Sequence, residues 1–112
     1  MDLKTSLQVS ASGLRAQSLR MRIIAENLAN ADSVSRTAGG DPYRSRGANG
    51  VAIDTIQSDK SAFQRVYKPG SPAADATGYV KMPNVNGLVE AADMKAAQRS
   101  YEANLSAIEA AK

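Results

Sequence analysis

Seven-residue repeats occupy both ends of this chain. Near the N-terminus Leu7, Leu14, Met21 and Leu28 recur at that spacing, with Ser10, Gln17, Ile24 and Ala31 three residues behind. Near the C-terminus Met94, Tyr101 and Ile108 do the same, followed by Ala97, Asn104 and Ala111. A helix turns about 100° per residue, so each set forms a narrow stripe along one helix face. A narrow stripe with small and polar neighbours suits helix-on-helix packing. The two ends are therefore expected to meet helices, either each other or those of neighbouring subunits. That points to an assembly protein.

The rest of the composition agrees. Ala supplies 20 residues, and Leu, Ile, Val and Phe together supply only 20 of 112. That is under the rough 20% at which an independent core becomes doubtful. A buried large side chain contributes on the order of 2 kcal/mol, whereas ordering each residue costs about 1–2 kcal/mol of backbone entropy. The isolated chain is expected to be marginally folded, with its termini ordering on assembly and partners supplying the remaining stability.

Several function classes drop out. With no Cys there is no disulfide and no thiolate metal site, and with no His the commonest metal ligand and general base are missing. Ser, Lys, Tyr and the carboxylates remain, but none sits in a recognisable catalytic motif, so no enzyme, cofactor or small-molecule substrate is expected. Neither Gly70 nor Gly78 belongs to a phosphate-binding loop; both read as turn residues. The net charge is +3, but the cations are scattered, which argues against a nucleic-acid partner. No run approaches the ~20 apolar residues of a membrane span, and Met1–Gln8 does not read as a cleavable secretory signal.

Residues 1–32 read as one long helix, capped by Asp2 or by a Thr5–Gln8 capping box, with Gly13 its weak spot and a stop near Asn30. Residues 33–86 read as loop and a small β-rich segment. Ser33 to Asn49 is loop, with a turn at Gly39-Gly40-Asp41-Pro42. Val51–Ile56, Ala62–Tyr67 and Gly78–Met82 are candidate strands, and Lys68-Pro69-Gly70-Ser71-Pro72 must turn. Residues 87–112 read as a second helix, capped by Asn84 or Asn86, with Glu90 and Asp93 near its positive end. It runs to Lys112 without a stop signal, so further helical residues are expected beyond it. The fold class is α+β: long terminal helices paired as an antiparallel coiled-coil-like bundle around a small β-rich middle.

Four segments resemble the bacterial flagellar axial proteins of rod and hook, and the proximal-rod type in particular. They are Ala25-Glu26-Asn27-Leu28-Ala29-Asn30-Ala31-Asp32-Ser33, then Asp41-Pro42-Tyr43-Arg44, then Tyr67 through Asn86, and finally Ala97-Gln98-Arg99-Ser100-Tyr101-Glu102-Ala103-Asn104. Four in order, over most of the chain, are specific. Two departures stand out: a short stretch between Arg44 and Val51, and a C-terminal helix that ends several turns early. The resemblance implies a structural, non-catalytic subunit of the rod, the driveshaft that crosses the periplasm. It implies export through the flagellum-specific type III apparatus without signal cleavage. It implies partners among copies of itself, other rod proteins and the membrane-embedded basal-body ring. A free-standing coiled-coil adaptor or a weak nucleic-acid binder is the alternative.

The expected assembly interface comprises Leu7, Leu14, Met21, Asn27, Leu28 and Asn30 on the first helix, and Met94, Tyr101, Asn104 and Ile108 on the last. Tyr101 reads as a packing aromatic. Asn27 and Asn30 either cap the first helix or bond across to the last helix or a neighbour and fix register, with Asn104 as the natural partner. Asp75 either caps a turn or contacts the next subunit.

Overall fold

A computed structural model describes residues 2–49 and 55–111 of the chain. The elements in order are α1 (Leu3–Ala29), β1 (Arg46–Asn49), β2 (Thr55–Ser58), β3 (Gln64–Tyr67), β4 (Tyr79–Met82) and α2 (Gly87–Ala110). The Asp2 carboxylate accepts from Thr5 N at 2.7 Å and starts α1. Asn30 ends it: its backbone N–H and its side-chain amide both donate to the Glu26 carbonyl, at 3.1 and 2.9 Å. Asn86 caps α2, accepting from Leu88 N and Val89 N.

The two helices pair antiparallel along their length. Gly13 lies against Asn104, and Asn27 against Glu90, so fourteen residues forward on α1 match fourteen back on α2. Glu90, Met94, Ala97, Tyr101, Asn104, Ile108 and Ala111 are buried or half-buried, and every other residue of α2 is exposed. Their spacing alternates four and three, as a coiled-coil stripe requires. The expected α+β bundle of paired terminal helices with a small β-rich middle is thus the observed architecture.

The molecule is a rod of 63 × 21 × 18 Å with a radius of gyration of 18.8 Å. A compact domain of this length would have about 13 Å. Among the described residues the buried hydrophobic side chains are few: Ile23, Ile24, Ala73, Val80 and Ala97. Ile23, Ile24 and Ala97 lie on the paired helices, whereas Val80 lies in β4 and Ala73 in the loop that joins β3 to β4. Elsewhere the helix pair is only two helices thick and cannot enclose large side chains. Among the described residues no helix is long and apolar enough to cross a membrane.

The middle is two separate antiparallel ribbons, β1–β2 and β3–β4. In the first, Arg46 pairs with Ser58 and Asn49 with Thr55; in the second, Gln64 pairs with Met82 and Tyr67 with Tyr79. The expected loop Ser33–Asn49 is corrected at its end, where Arg46–Asn49 is a strand. Of the expected strand Val51–Ile56, residues 51–54 lie outside the described residues, and β2 continues to Ser58. The other two strands begin slightly later than expected, at Gln64 and Tyr79.

Candidate assembly interface

A polar clasp fixes the helix pair at the end nearest the ribbons, and Asn27 is its centre. Asn27 is only 1% exposed. Its Oδ1 accepts from Tyr43 OH at 2.7 Å and from Arg46 N at 3.0 Å. Its Nδ2 donates to Arg46 O at 2.7 Å and to Glu90 Oε1 at 3.3 Å. An amide side chain offers two acceptor sites and two donor hydrogens, and here all four are used. Toward residue 46 the side chain does what a neighbouring strand would, taking both the N–H and the C=O of one residue. One residue on α1 thereby holds the start of β1, the loop at Tyr43 and the first turn of α2.

Neighbouring groups complete the clasp. The Arg46 guanidinium pairs with Glu26, which Arg22 also approaches at 3.9 Å. Asn84 Oδ1 accepts from the buried Ser45 N at 2.7 Å, and its Nδ2 donates to the carbonyls of Asp59 and Ser61. Arg44 Nη1 reaches the same two carbonyls, with its guanidinium 4.1 Å above the Phe63 ring. Burial raises the Glu90 carboxyl above its ordinary value; the Asn27 amide opposes this and the Asp93 charge adds to it. Burial likewise raises the Tyr43 phenol, with the Glu90 charge as the second cause.

This geometry corrects the expected pairing of Asn27 with Asn104. The two are separated by fourteen residues of register, because Asn104 lies opposite Gly13 and donates to its own helix at Ser100 O, 2.9 Å away. Unlike Asn27, which reaches Glu90 on α2, Asn30 does not bond across; it turns back on Glu26 O and accepts from Ser33 Oγ at 3.0 Å. Gly13, a weak spot by helix propensity, has a packing reason. A Cβ there would stand 2.8 Å from both amide atoms of Asn104, so its absence lets the helices approach.

The aliphatic row of α1 is not centred on α2. The residues in step with Gly13 and Asn27 are Ser6 and Arg20, none of them a large apolar side chain. Leu7, Leu14, Met21 and Leu28 each follow by one position, about 100° around the helix. The first three are half-buried and Leu28 is 37% exposed. On α2 the expected Met94, Tyr101, Asn104 and Ile108 are all half-buried on the seam. Exposed apolar side chains also include Val9, Leu88, Val89 and Leu105, with Leu88 at 86%.

The ribbon β3–β4 and the long loop joining it form a second ordered unit. Asp75 Oδ1 accepts from Thr77 N, Thr77 Oγ1 and Tyr79 N at 2.9, 2.6 and 3.1 Å, and Oδ2 accepts from Arg65 at 3.1 Å. These bonds, led by the Thr77 hydroxyl, lower its carboxyl from 3.8 to about 2. Gly78 has φ +88°, and a Cβ would lie 2.8 Å from the Tyr67 ring. Tyr67 and Tyr79 meet edge to face at 5.3 Å, and the Arg65 guanidinium sits 4.9 Å over Tyr79. Asp75 is therefore a turn cap.

Sequence reasoning missed Tyr43, Arg46, Glu90 and Asn84 as partners of Asn27 and of the ribbons. Tyr43 lay within a segment carrying the family resemblance, which was a signal of position but not of role.

Comparison with known proteins agrees with this architecture at both ends. Residues 7–36 match the family described as flagella basal body rod protein, and residues 76–112 match the flagellar basal body rod FlgEFG protein C-terminal family. The flagellar basal-body rod protein FlgC of Agrobacterium fabrum is 45% identical over 118 residues, covering 95% of this chain and 85% of the relative. FlgC of Salmonella typhimurium is 38% identical, covering 100% and 92%. FlgC of Bacillus subtilis is 40% identical, covering 96% and 89%. The Salmonella alignment runs over 124 positions against 112 residues here, so that relative has residues with no counterpart in this chain. Nothing in these likenesses supports the adaptor or nucleic-acid alternatives. Clasp, paired terminal helices and likeness over nearly the whole length lead to one conclusion: the chain belongs to the FlgC-type flagellar basal-body rod proteins and is a structural subunit of the rod.

Proposed function

We propose that this subunit is non-catalytic and joins the proximal rod through α1 and α2, with copies of itself and other rod proteins as immediate partners. Leu7, Leu14, Met21, Leu28 and Asn30 on α1, with Met94, Tyr101, Asn104 and Ile108 on α2, line or flank the surfaces that meet those neighbours, and Asn27 fixes the shape they present. The carrying observation is the offset of the α1 aliphatic row from the α2 seam, which leaves large apolar side chains half-covered on a subunit with a small core. Half-covered apolar rows gain free energy when a neighbour completes their burial. Residues 1–32, 33–86 and 87–112 act as axial helix, outer segment and axial helix. The chain leaves the cytoplasm through the flagellar type III export apparatus without a cleaved signal, and the basal-body ring in the membrane is its neighbour at the base.

The test is direct. Basal bodies extracted with detergent from the source bacterium are analysed for this chain by mass spectrometry, and its density is located by cryo-EM. The expected result is the chain in the axial density with both helices in the tube wall and residue 1 retained. Its absence from intact, motile basal bodies would overturn the proposal.

A further inference from the structure

The helices carry opposite charges that, among the described residues, do not pair with each other across the seam. α1 holds Lys4, Arg15, Arg20 and Arg22 against Glu26 alone; α2 holds Glu90, Asp93, Glu102 and Glu109 against Lys95 and Arg99. Among the described residues no ion pair joins α1 to α2. The register sets Arg15 level with Glu102, yet both lie outside the seam, exposed, and do not pair. The charges are also spaced alike. Arg15 and Arg22 are exposed and two turns apart on α1, about 10 Å by helix rise, along one edge of the face that carries Leu14 and Met21. Glu102 and Glu109 are exposed at the same spacing on α2, and between them Leu105 is 38% exposed.

We propose that the Glu102–Leu105–Glu109 row of one copy docks on the Arg15–Arg22 edge of the next, beside its Leu14 and Met21. This rests on the reading of the chain as a self-assembling rod subunit and names the contact that orders it. The occupant is a second copy because both complementary rows belong to this chain and, among the described residues, they do not pair with each other; Arg22 approaches Glu26 at 3.9 Å on its own helix, and Arg15 is in no ion pair. The contact is α1 to α2 because α1 against α1 would oppose four guanidinium groups, and α2 against α2 four carboxylates. Donor and acceptor rows lie on different helices, so the contact is head-to-tail and leaves a free row at each end for further copies. Exposed ion pairs alone add little, but charges flanking a leucine that becomes buried set partner, register and association rate.

The test is a charge swap in the full chain, read as self-association by sedimentation velocity at low salt. Arg15→Glu/Arg22→Glu is expected to weaken association about tenfold or more, and so is Glu102→Arg/Glu109→Arg. The chain carrying all four changes is expected to recover to within about threefold of the parent, because the α1–α2 contact between copies is restored with signs reversed. A monomeric parent, a neutral double variant, or a quadruple variant as weak as either double overturns the proposal. Circular dichroism on each variant guards against an intrachain cause: helicity that falls in both doubles and returns in the quadruple also overturns it. Failure of the rod reading is seen separately, as absence of the chain from basal bodies.

Discussion

Replacing Asn27 with Ala removes four hydrogen bonds at once, and the structure says which of the losses matter. Tyr43 and Glu90 are half-buried and can turn toward water. The Arg46 N–H and C=O cannot, because both are held against α1 by the Asn27 amide at 3.0 and 2.7 Å. Each buried backbone group left without a partner costs about 1–3 kcal/mol, so the pair together costs on the order of 3 kcal/mol. Chains of this size are stable by only about 5–15 kcal/mol, and one with so few buried apolar side chains belongs at the low end. The expected fall in midpoint is roughly 10–20 °C in a thermal melt followed by circular dichroism. Hydrogen exchange at the Arg46 amide should rise to the rate of an open strand.

Asn27→Asp sharpens the test. The carboxylate can still accept from Tyr43 and Arg46 N, but an oxygen now faces Arg46 O and Glu90 where an N–H₂ donated. At pH 7 the change should destabilise at least as much as Ala. Burial raises the new carboxyl, so the folded state binds its proton more readily and stability should return as pH falls through that raised value. If Asn27 were only a helix-end residue, both variants would lie within about 1 kcal/mol of the parent and neither would depend on pH. That result would refute the clasp.

Other perturbations separate the remaining parts. Gly13→Ala alone should be neutral or destabilising, yet in an Asn104→Ala background it should stabilise by about 1 kcal/mol, the helix-propensity gain without the clash; a double-mutant cycle in urea reads the coupling. Glu90 has a raised carboxyl, so the folded state holds its proton more tightly than the unfolded one and stability should fall as pH rises above the ordinary 4.5. Glu90→Gln keeps an acceptor for Asn27 and should flatten that part of the pH–stability curve. Asp75 titrates the other way: its contribution is present above 3.8 and lost as pH falls toward about 2. Asp75→Asn should remove that acid dependence while keeping the turn, and Asp75→Ala should lose the Tyr67–Tyr79 contact, seen in near-ultraviolet circular dichroism.

The helices were legible in the sequence because their information is local and periodic. The Met94–Tyr101–Ile108 row and its companions follow directly from a 3.6-residue turn, and the observed seam on α2 consists of those positions and Glu90. The caps Asp2 and Asn86 were legible for the same reason. β1 was not. Arg46-Gly47-Ala48-Asn49 has no β-branched residue, and it is a strand because β2 lies beside it and the Asn27 amide takes up both backbone groups of its first residue. The partner of Asn27 was also hidden. The heptad pattern places Asn27 and Asn104 on similar stripes but does not set the antiparallel register, which a Gly13–Asn104 contact and an Asn27–Glu90 bond settle together.

That register carries a consequence for how one chain can both fold and polymerise. A subunit with a fully apolar seam would fold tightly and leave little to offer its neighbours. Here the positions on α1 in step with Gly13 and Asn27 carry no large aliphatic side chain, while the α2 seam alternates Ala97 and Asn104 with the half-buried Met94, Tyr101 and Ile108. The leucines stand one position aside. The Asn27 amide, with all four of its hydrogen-bonding positions used, penalises a wrong register, and on the proposed reading assembly draws on the apolar rows that the fold leaves half-covered. The two sets of residues are adjacent on one helix, separated by a single step in sequence. Substitutions at Asn27 should therefore damage the monomer first, whereas substitutions at Leu14 or Met21 should leave the monomer's clasp in place and weaken its association.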